Sequence, residues 1–226
     1  FGLAWWRDKP VPGLFRDTLP AWNDANLRSL TEQVSSPLFF AHVRASTGTA
    51  TSRNNCHPFV FGEWAFMHNG QIGGWSAIRR AVEAHIPDEL YVHRQGTTDS
   101  EALFLLAIAN GVLEEPVDGM ARALGIVRGL MDEARIESPL RMSVALSNGE
   151  FIAAYRWSSD GRSPTLYTAC DRTIGNFLDD GDALTDATII LSEPLDDAEE
   201  SWGAIDDGQV LIATADGSES HVLAPA

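Results

Sequence analysis

Short apolar runs separated by turn residues dominate this chain, and their periods divide it into a mixed first half and a β-rich second half. Phe1–Trp6 reads as an opening strand, and residues 8–24, rich in Pro, Gly and Asp, as the loop after it. Asp24 is placed to cap a short helix over Ala25–Val34, which Pro37 stops, and Leu38–Val43 then reads as a buried strand. Residues 44–58 hold Ser, Thr, Gly, Asn and Pro without a period and read as an ordered loop. Phe59–Phe61 and Trp64–His68 follow as strands, with Asn69-Gly70 as a turn dipeptide, and a helix is predicted over Ser76–His85.

The clearest helix start is Thr98-Asp99-Ser100-Glu101. Threonine with glutamate three residues on is a capping box, and the apolar run 102–109 carries the helix to Gly111. A second helix is predicted over 117–136. Beyond it the chain turns β-rich: Met142–Ser147, Phe151–Trp157, Thr165–Cys170, Thr188–Leu191 and Val210–Thr214 read as strands between Gly, Asp and Asn turns. Strands grouped outside a central helical pair predict an α+β layered domain rather than a βαβ alternation. With no repeat and no low-complexity linker, one domain over 1–226 suffices.

Composition narrows the function classes. The 226 residues are 44% hydrophobic, enough for a sizeable core. A net charge of −16 excludes broad binding to nucleic acid or anionic membranes, whose phosphates would repel it. No apolar run approaches the roughly 18 residues of a membrane-spanning helix. Two cysteines, Cys56 and Cys170, are too few for a disulfide scaffold, so the expected setting is cytoplasmic. No Lys or Arg follows Arg172 while thirteen Asp and Glu do, a pattern that reads first as a solvated acidic face.

Polar residues concentrate in four segments at strand ends: His42–Gly48, Asn55–Phe59, Met67–Gly70 and Thr98–Glu101. Each has a plain structural explanation, such as a surface ion pair for Arg44 or a helix-dipole partner for Asp99. Together they suit an amino-acid amide. The Arg44 guanidinium fits bidentate capture of a carboxylate, and the Asp99 carboxylate can hold an ammonium. Asn69 beside the close-approaching backbone of Gly70 is a candidate oxyanion hole.

The order His42-x-Arg44-x-Ser46-Thr47-Gly48, then Asn55-Cys56-His57-Pro58-Phe59, then Met67-His68-Asn69-Gly70, then Thr98-Asp99-Ser100-Glu101 resembles class II glutamine amidotransferase domains, which are N-terminal-nucleophile hydrolases. Within that family the chain is most similar to the stand-alone branch of bacterial predicted amidotransferases and γ-glutamyl-cleaving relatives. Phe1-Gly2-Leu3-Ala4-Trp5-Trp6 resembles that branch's Gly-Phe-Gly-x-x-Trp strand, and Ser192-Glu193-Pro194-Leu195 with Trp202 its late Ser-Glu-Pro element. The resemblance implies a four-layer αββα sandwich and hydrolysis of the γ-amide of glutamine or of a γ-glutamyl compound, without cofactor or metal. It implies that Arg44 binds the substrate α-carboxylate, Asp99 its α-ammonium, Asn69 and Gly70 the oxyanion, and that Ser46 and Thr47 line the pocket. For partners it leaves open hydrolysis for its own sake, supply of a separate synthase subunit, and trimming of γ-glutamyl peptides in a complex with a peptidase subunit.

The family's nucleophile is an N-terminal cysteine whose own α-amine is the base, whereas residue 1 here is Phe. The expectation is that the cysteine and its strand lie upstream of Phe1. The alternative is a binding or regulatory module that holds glutamine without turning it over. Cys56 beside His57 is a poor substitute, because neighbours on an extended segment point to opposite sides. His42, His57, His68 and Cys56 lack zinc-ligand spacing. Glu193 reads equally as a group supporting the pocket, a substrate determinant or part of a plain turn before Pro194. Substrate choice is expected to be shaped by loops near 8–24, 86–97 and 192–206.

Overall fold

The computed structural model describes residues 1–43, 52–170, 187–196 and 201–225. In chain order these form β1 (Gly2–Trp6), β2 (Gly13–Arg16), α1 (Ala25–Gln33), β3 (Leu38–His42), β4 (Phe59–Phe61) and β5 (Trp64–Gln71). A helical stretch follows: α2 (Trp75–Glu83), α3 (Asp88–Tyr91), α4 (Asp99–Ala109) and α5 (Pro116–Glu133). The rest is β6 (Arg141–Ser147), β7 (Phe151–Ser158), β8 (Tyr167–Cys170), β9 (Thr188–Leu191), β10 (Gly203–Ala204), β11 (Gln209–Thr214) and β12 (Gly217–Val222).

The central element is an antiparallel six-stranded sheet in the order β12-β11-β7-β6-β5-β4. Because side chains alternate along a strand, each strand feeds two cores at once. Trp64 and Phe66 of β5, Met142, Val144 and Leu146 of β6, and Tyr155 of β7 face the helices. There they meet Ile78 and Val82 of α2, the run 102–107 of α4, and Met120, Leu124 and Val127 of α5. Helix α4 is apolar nearly all round because it lies between the sheet and its two neighbours, and Phe104 stacks on Phe66 at 4.8 Å. The buried Tyr155 hydroxyl donates to the Pro116 carbonyl at 3.0 Å, and burial pushes its pKa far up.

The other face carries two three-stranded sheets. One, ordered β2-β1-β3, packs Ala4, Trp6 and Phe40 on Ala65, with Met67 and Ala145 beside them. The second, ordered β10-β8-β9, brings Leu166, Ile190 and Ile205 onto Ala154 and Leu211. The layers are therefore helix, sheet and sheet, as in the αββα sandwich; α1 is the remaining described helix longer than four residues, and it buries none of its side chains.

Two sequence expectations differ from this architecture. Residues 8–24 are not all loop: Gly13–Arg16 forms an edge strand on β1, and the Trp5 indole lies over Gly13, where a Cβ would stand 2.2 Å from it. Four residues are too few to show a period. More important for function, Asn69-Gly70 does not turn the chain. Strand β5 runs on to Gln71, pairing Asn69 with Ser143 and Gly70 with Met142 of β6. Pairing with a strand some seventy residues away overrides the local turn preference of Asn-Gly. Smaller differences are the strand β12, the short helix α3 and Val34, which caps α1 instead of continuing it.

Candidate active site

A cleft of about 960 Å³ opens on the face of the six-stranded sheet where the two smaller sheets leave it uncovered. Its floor is Met67 and Asn69 of β5 with Ser143 and Ala145 of β6. Ala41, His42 and Val43 with His57 form one wall, and Leu166, Ile190, Leu191 and Ser192 the opposite one. The N-terminal turns of α2 and α4, at Gly74–Ser76 and Thr98–Ser100, close the end nearest Gly70. A smaller hollow of about 260 Å³ near Arg128 and Asp160 contains none of the sequence-predicted residues.

Alternation along β5 turns His68 to the helices and leaves Asn69 exposed to the cleft. The Asn69 amide bonds to no described residue, so it is open to a ligand. Gly70 sits at φ +144°, and a Cβ on it would lie 2.0 Å from the Arg141 carbonyl oxygen and 2.8 Å from His68 Nε2. Only glycine allows β6 and the His68 ring to approach this closely.

Asp99 is the first residue of α4, behind the Thr98 cap, whose Oγ1 accepts from the Glu101 N–H at 3.2 Å. One Asp99 oxygen accepts from the Ile72 N–H and the other from the Ser100 N–H, both at 2.9 Å. The carboxylate thus holds the backbone two residues beyond Gly70. Ser100 Oγ is in turn 2.9 Å from His68 Nδ1. The Glu101 carboxylate completes the cap differently from the sequence expectation: it accepts from Gln95 and Gly96 N–H at 2.8 and 2.7 Å, ordering the loop before α4. Asn55 Oδ1 accepts from the Thr97 N–H at 2.8 Å, which ties that loop to the Asn-Cys-His segment.

Burial lowers the His68 pKa, and the opposing pull of the Asp99 charge and the Arg141 carbonyl only partly offsets it. His68 is thus kept neutral in the fold. A histidine with a depressed folded pKa contributes stability that is full above its unfolded value of about 6.5 and is lost as pH falls from there toward the folded value. Urea unfolding at pH 7.5 and 5.5 is therefore expected to show a larger acid loss in the wild type than in His68→Asn. Equal losses would refute a neutral buried imidazole.

Asn69, Gly70 and Asp99 are thus brought to one cleft. Arg44, Ser46 and Thr47 lie outside the described residues. Cys56 is buried, its thiol directed at the Asp17 and Ser52 carbonyls at 3.5 and 3.4 Å, and the His42 and His57 rings pack on each other at 4.3 Å. Ser192 lines the cleft and Glu193 beside it is exposed, while Trp202 donates its indole N–H to Asp196 at 2.9 Å. Among the described residues no group of three or more His, Cys, Asp or Glu is placed to hold a metal, and no helix is long and apolar enough to cross a membrane. Sequence reasoning missed Ser143, Trp75 and the Leu166–Ile190–Leu191 wall. Trp75, whose indole N–H has no partner among the described residues, lies on the cleft because α2 starts there. Only strand register reveals Ser143.

A family model described as "Glutamine amidotransferases class-II" matches residues 1–224. The chain belongs to the class II glutamine amidotransferases. It is 33% identical to the probable glutamine amidotransferase DUG3 of Saccharomyces cerevisiae over 93% of this chain and 68% of that protein. It is 23% identical to the gamma-glutamyl-hercynylcysteine sulfoxide hydrolase of Mycolicibacterium smegmatis, over 99% of this chain and 79% of that one. Among solved structures, a glutamine aminotransferase class-II domain protein from Silicibacter pomeroyi superposes with a TM-score of 0.85 at 40% identity, covering 100% of this chain and 92% of the other. In this amidotransferase the fold is accordingly the N-terminal-nucleophile type, with the cleft on the sheet face between its two β layers.

Proposed function

We propose that this amidotransferase domain cleaves the γ-amide of glutamine, or of a γ-glutamyl compound, through a cysteine thioester. The observation that carries the reading is the convergence of Asn69, Gly70 and Asp99 on one cleft, with Asp99 bonded to the backbone just past Gly70. The γ-glutamyl hydrolase named among the relatives supports the wider substrate class.

In the first step a thiolate adds to the γ-carbonyl carbon, and Asn69 with the Gly70 backbone stabilises the oxyanion. The C–N bond then breaks as the tetrahedral adduct collapses, nitrogen leaves as ammonia or an amine carrying the proton taken from the thiol, and a thioester remains. Water adds to that thioester, giving glutamate and the free thiol. Asp99 holds the α-ammonium throughout, and Arg44, Ser46 and Thr47 receive the α-carboxylate side by motif. By resemblance to the family, the thiolate is that of an N-terminal cysteine whose own α-amine is the base.

The test uses the natural full-length chain and a glutamine-like electrophile that alkylates thiols, followed by intact mass and peptide mapping. A single adduct on an N-terminal cysteine, blocked by excess glutamine, is the expected outcome. An adduct on Cys56, or none, would refute the mechanism.

A further inference from the structure

Strand register orders the cleft along the sheet. At one end Asp99 bonds to Ile72, past the end of β5. The next row across the sheet is Asn69–Ser143–Arg156, carrying the candidate oxyanion site. The row beyond is Met67–Ala145–Ala154–Leu211, on which Leu166 and Ile190 pack. Rows two residues apart are separated by about 7 Å. The oxyanion site therefore stands between the amino-acid anchor and the apolar wall of Leu166, Ile190 and Leu191. A γ-glutamyl group bound at Asp99 with its carbonyl at Asn69 directs whatever is attached to the amide nitrogen at that wall.

Among the described residues the wall is apolar except for Ser192. The Arg156 guanidinium, in the row of Asn69 and Ser143, is committed to Ser163 Oγ, the Pro164 carbonyl and the Ile205 carbonyl, and it does not line the cleft. Among the described residues lining the cleft there is no Lys or Arg, and the exposed carboxylate of Glu193 follows Ser192 at the rim. An anionic substituent on the amide nitrogen meets no described cation there, while an alkyl or aryl substituent removes apolar surface from water on both sides. The cleft volume of about 960 Å³ is at the upper end of pockets that enclose drug-sized ligands, which leaves room beyond a glutamine side chain.

We infer that the Leu166–Ile190–Leu191 wall is a leaving-group subsite that selects γ-glutamyl amides of uncharged, apolar amines over glutamine and over γ-glutamyl peptides ending in a carboxylate. The inference rests on the γ-amide hydrolysis proposed above.

The test measures kcat/KM of the natural full-length chain for glutamine, γ-glutamyl methyl-, ethyl-, propyl- and butylamide, and γ-glutamylglycine. Burial of each methylene is expected to raise kcat/KM roughly fourfold, or about sixtyfold from methyl to butyl, with γ-glutamylglycine below the ethylamide. Ile190→Ser, at a half-buried position, is expected to lower the ratio of butylamide to glutamine kcat/KM about tenfold, and Ile190→Val to retain most of it. Turnover of glutamine with a flat alkyl series, or faster cleavage of γ-glutamylglycine than of butylamide, overturns the subsite and leaves the hydrolase intact. Failure of every substrate, glutamine included, overturns the hydrolase reading and the subsite with it.

Discussion

Gly70→Ala lowers amide hydrolysis by at least a hundredfold and destabilises the fold, because its two consequences share one cause. The added methyl has nowhere to go: the Arg141 carbonyl oxygen would be 2.0 Å away and His68 Nε2 2.8 Å away. The first is backbone of a paired strand, so β5 and β6 must separate locally or Gly70 must rotate. At φ +144° an L residue is also strained, at a cost of about 1–3 kcal/mol before any clash is counted. Either relaxation moves the Gly70 N–H away from where an oxyanion forms. Urea unfolding should show the stability loss, and active-site titration with the thiol-directed electrophile should correct the rate for the folded fraction. Activity within tenfold of wild type at unchanged stability would exclude Gly70 from the site.

Asn69→Ala separates chemistry from folding. Asn69 is exposed in the cleft and its side chain bonds to no described residue, so its removal leaves packing intact. Loss of one oxyanion donor is expected to reduce kcat by about 10²–10³ with KM nearly unchanged, since the donor acts mainly on charge that develops in the transition state. An unchanged kcat would sink the assignment. A raised KM at constant kcat would instead make Asn69 a ground-state binding group.

Much of the architecture was legible because helices and strands announce themselves by period. The run 102–109 behind Thr98-Asp99-Ser100-Glu101 forms α4 where expected, since a cap and an apolar stripe are local properties. The short apolar run Trp64–Met67, bounded by turn residues, marks a strand for the same reason. The edge strand Gly13–Arg16 was not legible: it is short, and it exists because β1 offers it a partner. At Asn69-Gly70 the local signal pointed to a turn while the chain runs straight, because β6 supplies hydrogen bonds that a hairpin would have supplied from within.

The site divides along the same line. The types of residue needed to bind and polarise an amino-acid amide, Asn69, Gly70 and Asp99, stand in the sequence at motif spacing, and an ordered motif carries family membership without coordinates. Their identities follow from chemistry that any amide-cleaving pocket requires. What faces those residues does not. Ser143 comes beside Asn69, His68 comes behind Gly70, and Leu166 and Ile190 come one row beyond through strand register and sheet-on-sheet packing. These contacts join segments separated by tens of residues. The sequence by itself determined which residue types are available to bind and polarise an amide; the tertiary structure alone decided what surrounds them and which end of the cleft is apolar, because packing is a property of partners that no local pattern records.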